Sequence, residues 1–369
     1  MEVCKHFGTC GGCSLLNLNY EKQVEMKINK FIRIFGFEPE EVKKSPKVER
    51  YRNRMDFVTF PPFGIGLRER GKWYSCIDID DCLLATKKMN KIKNLLREFL
   101  RENQGEIECY DLKRKTGFLR YLVLREGFFT GEMMVVLITK RGESGKIKEF
   151  LEFLRENRIG ITSFYQGIND TLSDVSFSFD KKLLFGRHYI KEKICDNLYP
   201  ISPNSFFQPN SFTLEFLLKA VIEFLDLRAK EKALDLYAGI GTFALEMAKY
   251  CSEVEAIESE EENVRLANLA IKLNRIEFKI RKERVEKAGK LFADKMVVDP
   301  PRAGLSKKVI GKILDSDAKK IVYVSCNPET QKRDLDFFLE KGWEVEHSLL
   351  VDQFPNTEHL ETIISLKRK

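Results

Sequence analysis

Ala233-Leu234-Asp235-Leu236-Tyr237-Ala238-Gly239-Ile240-Gly241-Thr242-Phe243 decides how the second half of this chain folds. Its first five residues are a short apolar run carrying one acid, the pattern of a buried strand. Two glycines then turn the backbone, and Thr242-Phe243 opens a helical segment. Strand, glycine turn and helix N-terminus in succession form the ligand-facing corner of a doubly wound α/β sheet. Downstream, Val254-Glu255-Ala256-Ile257-Glu258 reads as a second strand ending in an acid. An acid there, about 20 residues beyond the loop, can accept both hydroxyls of a ribose.

The loop lacks the third glycine of a dinucleotide fingerprint. D-x-x-x-G-x-G followed by an acid ending the next strand looks instead like an S-adenosylmethionine site. Further strands are expected near 276–280, 295–299 and 321–325. Met296-Val297-Val298-Asp299-Pro300-Pro301-Arg302 ends one of them, and Ile321-Val322-Tyr323-Val324-Ser325-Cys326-Asn327-Pro328 ends the next. Proline stops each run, which leaves Asp299 and Cys326 at the carboxyl ends of core strands, where α/β sheets bind ligands. Cys326 reads either as a nucleophile or as a small buried hydrophobe. A polar loop, 352–362, carries three acids and His359 into the last strand.

Upstream, Tyr199-Pro200-Ile201-Ser202-Pro203-Asn204-Ser205-Phe206-Phe207-Gln208-Pro209 marks a change of texture, read as the domain boundary and the lip of a site. A helix follows over 212–226. Residues 20–35 alternate as an amphipathic helix, with Val24, Ile28, Phe31, Ile32 and Phe35 apolar. A basic run, Lys43, Lys44, Lys47, Arg50, Arg52 and Arg54, leads into a strand hairpin around Pro61, Pro62 and Gly64. Such a run can neutralise phosphates or be a solvated face. Helices over 86–103 and 144–157, with strands between and after them, complete an α+β region. The expected division is 1–85 (cysteine loop and basic strands), 86–198 (central α+β domain) and 199–369 (doubly wound domain).

The nine cysteines are unevenly spread, with Cys4, Cys10 and Cys13 packed around Gly11-Gly12. Three close thiols want a fourth ligand: Cys82, or in competition Cys76. The spacing leaves zinc and an iron–sulfur cluster equally open. The chain has 63 basic and 56 acidic side chains, a net +7 that suits a polyanionic partner. No apolar run reaches the roughly 20 residues of a membrane span. A cytoplasmic monomer is expected.

Five motifs stand in order: ISPNSFFQPN (201–210), LDLYAGIGTF (234–243), VVDPPRAGL (297–305), IVYVSCNP (321–328) and FPNTEHLET (354–362). Together they resemble the RNA uracil-C5-methyltransferases. The leading C-x5-C-G-G-C is similar to the four-iron, four-sulfur motif of that family's iron–sulfur branch. The resemblance implies a Rossmann-like methyltransferase domain preceded by an α+β RNA-binding domain with a cluster loop. It implies a methyl transfer from S-adenosylmethionine to carbon 5 of one RNA uridine, through a covalent Cys–C6 adduct.

Cys326 is then the nucleophile and Glu361 the base. Gln208, Tyr237, Gly239, Gly241, Thr242, Glu258 and Asp299 form the donor site, and Cys4, Cys10, Cys13 and Cys82 hold the 4Fe-4S cluster. Arg284 stands near a position where relatives meet adenine with a polar residue. The extra barrel of many relatives does not precede the cluster, which tilts the expected target towards 23S rRNA, with uridine 54 of transfer RNA as the alternative. From other classes, a radical iron–sulfur enzyme and a non-catalytic RNA-binding protein are the rivals.

Overall fold

The computed structural model describes residues 4–142 and 145–369. These form two compact units, and the chain passes between them more than once. One unit comprises Asn17–Pro46, Ile194–Pro200 and Ser205–Lys369; the other comprises residues up to Leu16, Lys47–Lys193 and Ile201–Asn204.

The first unit is built on an eight-stranded sheet. Across it run Glu41–Lys43, Trp343–Val351, Glu361–Arg368, Lys320–Ser325, Lys295–Val298, Lys232–Leu236, Glu253–Glu258 and Lys279–Lys282. The strands from 232 to 325 are mutually parallel, as their near-continuous burial requires. Glu361–Arg368 is antiparallel to both its neighbours. A helix follows each of those parallel strands except Lys279–Lys282, so the α/β expectation holds. Pro328, which stops the strand before it, sits in the first turn of the helix Pro328–Glu340, where its missing N–H costs nothing.

The sequence division at 86 and 199 differs from this architecture at one important place. The helix Tyr20–Phe35 and the strand Glu41–Lys43 belong to the sheet unit that is otherwise built from the carboxyl half. The helix starts on Asn19, whose side chain accepts from the Lys22 amide, and stops at Gly36. Its apolar face puts Phe31 and Phe35 into the same core as Leu234, Met296, Tyr323 and Trp343. Glu41–Lys43 then adds to the sheet edge in parallel with Leu349, Leu350 and Val351. A short segment with an apolar helix face is buried by whichever core accepts it, and sequence distance does not say which.

The other unit carries a seven-stranded sheet. Its order is Lys72–Asp78, Gly64–Glu69, Arg54–Phe60, Leu119–Glu126, Met133–Thr139, Ser163–Ile168 and Asp180–Gly186. All pairs are antiparallel except Met133–Thr139 with Ser163–Ile168. The helix Lys87–Glu102 begins on Thr86, and the helix Gly145–Glu156 matches the expectation from residue 145 onward, residue 144 lying outside the described residues.

The basic run does not form a bare stripe. Lys43 pairs with Glu41, Lys44 with Glu21, Arg50 with Asp81 and Arg54 with Asp56. At least four of its six charges are thus met by nearby carboxylates, several of them brought in by the fold from outside the run.

Candidate active site

Parallel strands deliver their last residues to one edge of the sheet. Leu236, Glu258, Val298 and Ser325 all end there, followed by Tyr237, Ser259, Asp299 and Cys326. The antiparallel strand Glu361–Arg368 begins where they end. Its register sets Thr362 opposite Ser325, so Glu361 and Cys326 lie next to each other at the same edge. Thr362 Oγ1 ties the pair, its one hydrogen directed to Gln331 Oε1 (2.6 Å) and shared with the Ser325 carbonyl (3.2 Å).

These residues surround a cavity of about 670 Å³. Gln208, Tyr237, Gly239, Thr242, Glu258, Asp299, Cys326 and Glu361 all line it. Gly241 stands just behind the lining, at the cap of the following helix with φ +80, and a Cβ there would lie 2.6 Å from the Phe278 ring. Glu258 accepts from the amides of Gly239 (2.8 Å) and Glu260 (2.7 Å), which fixes its carboxylate at the rim. Arg284 lies in a neighbouring hollow that shares Tyr237, Glu258 and Ser259 with the main cavity.

The electrostatics are one-sided. Among the described lining residues are three carboxylates, Glu258, Asp299 and Glu361, and one guanidinium, Arg302. Burial holds Asp299 up to about 7, and the hydrogen bond from Gln208 only partly offsets it. Burial also pushes Glu361 well above the carboxylate range, with Asp299 adding to the shift. The Cys326 thiol is pushed up to about 12 by burial, then by Glu361 and Asp299, with Arg302 pulling the other way. A cavity of this charge suits a cationic ligand, and S-adenosylmethionine carries a sulfonium.

Residues 19–286 and 287–369 match the sequence profile of the tRNA (uracil-5-)-methyltransferase family. The chain belongs to this family. It is 40% identical to the tRNA (uracil(54)-C(5))-methyltransferase of Pyrococcus horikoshii, over 98% of this chain and 85% of the relative. It is 34% identical to the 23S rRNA (uracil(747)-C(5))-methyltransferase of Pyrococcus abyssi, over 99% and 85%. Its structure resembles the crystal structure of the Pyrococcus abyssi tRNA (uracil-54, C5)-methyltransferase in complex with S-adenosyl-L-homocysteine. There the TM-score is 0.84 and the identity 36%, covering 97% of this chain and 86% of that one. The protein is an RNA uracil-C5-methyltransferase, and the radical and non-catalytic alternatives lapse. No helix among the described residues is long and apolar enough to cross a membrane.

Sequence reasoning missed the groups that hold the methyltransferase's site in shape. Gln353 donates to Gln208 Oε1 (2.5 Å), and Gln208 donates to Asp299 (3.3 Å), a chain of buried amides ending on the half-buried Asp299 carboxyl. The 352–360 loop is held by the first helix: Lys27 Nζ bonds Asp352 (2.5 Å) and the Phe354 carbonyl (2.9 Å). Gln23 exchanges two hydrogen bonds with Asn356, which takes φ 65. Lys27 and Asp352 are both fully buried. A signal existed, because Lys27 falls between Val24 and Phe31 on the apolar face of the helix, where an unpaired lysine would be costly.

The remaining predicted residues assemble elsewhere. Cys4, Cys10, Cys13 and Cys82 line one small cavity walled by Phe7, Leu16, Leu67 and Leu84. Cys76 is not among them; it lines a different cavity, beside Arg68. Burial raises Cys10, Cys82 and, up to about 12, Cys13, and the other thiols of the group raise them further. Among the described residues, no three His, Cys, Asp or Glu side chains stand at metal-ligand spacing. Even so, the donor set is four thiols facing one space, and the buried Nε2 of His6 beside them lacks a hydrogen-bond partner. Those residues fit a thiolate-held metal group.

Proposed function

We propose that this methyltransferase adds a methyl group to carbon 5 of uridine 54 in transfer RNA, through transient attachment of Cys326 to the pyrimidine. The supporting observation is the register that seats Cys326 and Glu361 side by side on a cavity shared with Asp299. Carbon 5 of uracil is too weak a nucleophile to take a methyl group unaided. Attack of the Cys326 sulfur on carbon 6 places electron density on carbon 5 as an enolate. Carbon 5 then takes the methyl group, Glu361 accepts the proton that carbon 5 loses, and the re-formed enolate expels Cys326. When bound, S-adenosylmethionine supplies the methyl cation and a positive sulfonium among the three carboxylates.

In this reading Gln208, Tyr237, Gly239, Gly241, Thr242, Glu258 and Asp299 form the donor site, with Glu258 at the ribose. Burial and the neighbouring acids raise the Cys326 thiol, and entry of the cationic donor favours loss of its proton to solvent, so that the sulfur attacks as the thiolate. The same cation favours the ionised Glu361 that later accepts the carbon 5 proton. The uridine must leave its stack to reach the cavity.

We also infer that Cys4, Cys10, Cys13 and Cys82 bind a 4Fe-4S cluster, which would tie the amino-terminal loop to the segment before Lys87–Glu102. Iron and sulfide analysis of anaerobically purified protein tests this; stoichiometric zinc without sulfide would overturn it.

For the target, the expectation of 23S rRNA gives way to transfer RNA. Relatives at 40% identity over nearly the whole chain carry the uridine 54 name, against 34% for the ribosomal one. The compactness behind the ribosomal expectation says nothing about which loop is read. Mass-spectrometric mapping of 5-methyluridine in both RNAs, with and without the gene, decides it: signal lost only from 23S rRNA would sink the assignment.

A further inference from the structure

The seven-stranded unit contains a cavity of about 270 Å³ that neither methyl transfer nor the cysteine group uses. It is smaller than the roughly 300–1,000 Å³ of typical drug-sized ligand sites, a scale suited to one planar ring system. Its inner wall is Tyr110, which is 5% exposed and whose hydroxyl is buried without a hydrogen-bond partner. Arg120 backs that ring with its guanidinium 4.6 Å from the ring centroid. The Arg120 side chain is itself locked by bonds to the carbonyls of Asn169 (2.8 Å), Thr171 (2.7 Å) and Ser173 (2.6 Å). A buried orphan hydroxyl on a rigidly backed ring costs stability unless something bonds it.

The opening has a different character. Tyr74 is 47% exposed, and its neighbour Trp73 is 70% exposed and meets it edge-on at 5.8 Å. Lys113 Nζ stands 5.8 Å from the Tyr74 ring. Arg68 crosses the wall, bonded to Asp174 and to Cys76 Sγ (2.8 Å). Exposed aromatics with cations beside them, at the mouth of a small cavity of mixed polar and apolar lining, are the features of a stacking platform for single-stranded nucleic acid.

We propose that this cavity receives one unstacked base of the RNA substrate, distinct from the methylated uridine. Tyr74 stacks on the base, Tyr110 hydrogen-bonds its edge and Lys113 meets the adjoining phosphate. The proposal rests on the protein acting on RNA, and it does not depend on which RNA or on the covalent mechanism.

The test uses the full-length protein with in vitro transcribed tRNA and, separately, a transcribed 23S rRNA hairpin. With whichever RNA is methylated, Tyr74→Ala should raise the KM for RNA roughly tenfold. Tyr110→Phe should raise it roughly fivefold. Both should leave kcat at saturating RNA and the KM for S-adenosylmethionine within twofold. If the orphan hydroxyl is only a packing defect, Tyr110→Phe will raise Tm with an unchanged KM for RNA, which overturns the proposal. A photoreactive p-azidophenylalanine at Tyr74 should crosslink to one nucleotide other than the methylated uridine. Crosslinking no stronger than from the same group at exposed Phe292 overturns it, as does saturable binding of free adenosine or uridine monophosphate without an RNA crosslink. Because crosslinking needs no turnover, a failed activity assay remains distinguishable from a failed site.

Discussion

The methyltransferase gathers buried thiol chemistry in two places, and they differ in what surrounds the sulfur. At Cys326 the neighbours are carboxylates, Glu361 and Asp299. At Cys13 the neighbours are other thiols, Cys82, Cys10 and Cys4, with Arg52 opposing them. Both thiols are pushed up to about 12, and burial is the largest cause for each. The same shift therefore calls for two different remedies. A lone thiol among acids is relieved by a cation arriving with the substrate. A group of thiols is relieved by a metal centre that takes all of them as thiolates. Burial alone does not separate the two thiols; the company of the sulfur does.

The sharpest test of that contrast is Cys326→Ala, which should lower methyl transfer on the order of 10⁴-fold or more and abolish the covalent adduct with 5-fluorouridine RNA. Binding of S-adenosylhomocysteine, measured by calorimetry, should stay within about twofold. A wild-type protein that forms no adduct would erase the distinction between the two regions.

Next in size is Lys27→Ala, which removes the ammonium from buried Asp352 and leaves it the Tyr20 hydroxyl. Its expected cost is about 3–5 kcal/mol in urea unfolding, with kcat falling because the 352–360 loop leads into Glu361. A loss below about 1 kcal/mol would mean that the loop is held by other groups.

At the other region, Cys82→Ser should bring bound metal to background, while Cys76→Ser should keep the wild-type content. The accompanying stability loss should be about 1–3 kcal/mol, because one loop is released and not a whole core. Equal metal loss in both variants would reverse the choice of fourth ligand.

The smallest effect concerns pH. Asp299 is held up to about 7 in the fold, above its unfolded value of 3.8. Its contribution to stability is therefore full below about pH 4 and is lost as pH rises through about 7. Asp299→Asn should remove this, so its Tm relative to wild type should improve from pH 4 to pH 8. A shift from 3.8 to about 7 corresponds to about 4 kcal/mol in full; because Asp299 is only half-buried, solvent screening should reduce the change to on the order of 2 kcal/mol. A relative Tm that falls with pH would contradict a proton-retaining Asp299.

Much of the sheet was legible because its strands are short apolar runs punctuated by Gly239, Pro300 and Pro328. The strand near 276–280 falls a few residues later, at Lys279–Lys282, after Arg275 closes the preceding helix in the left-handed region. The ends of strands were legible too, and with them Asp299 and Cys326. Their relation to Glu361 was carried by family resemblance, because it depends on an antiparallel register that periodicity does not encode. Lys27 was passed over because a lysine on an apolar helix face is ambiguous until its partner is known, and Asp352 lies 325 residues away. The basic run stayed ambiguous for the same reason: its counter-charges Asp81 and Glu21 arrive from elsewhere in the chain.

The early helix that holds the 352–360 loop has a consequence for how the molecule is made. A ribosome adding about 5–20 residues per second needs roughly 16 to 65 seconds to travel from Lys27 to its buried partner. Throughout that interval the ammonium has no Asp352, and the strand that pairs with Glu41–Lys43 is completed only at its very end. The reactive pocket is thus among the last things translation completes, and an unfinished chain carries no assembled active site.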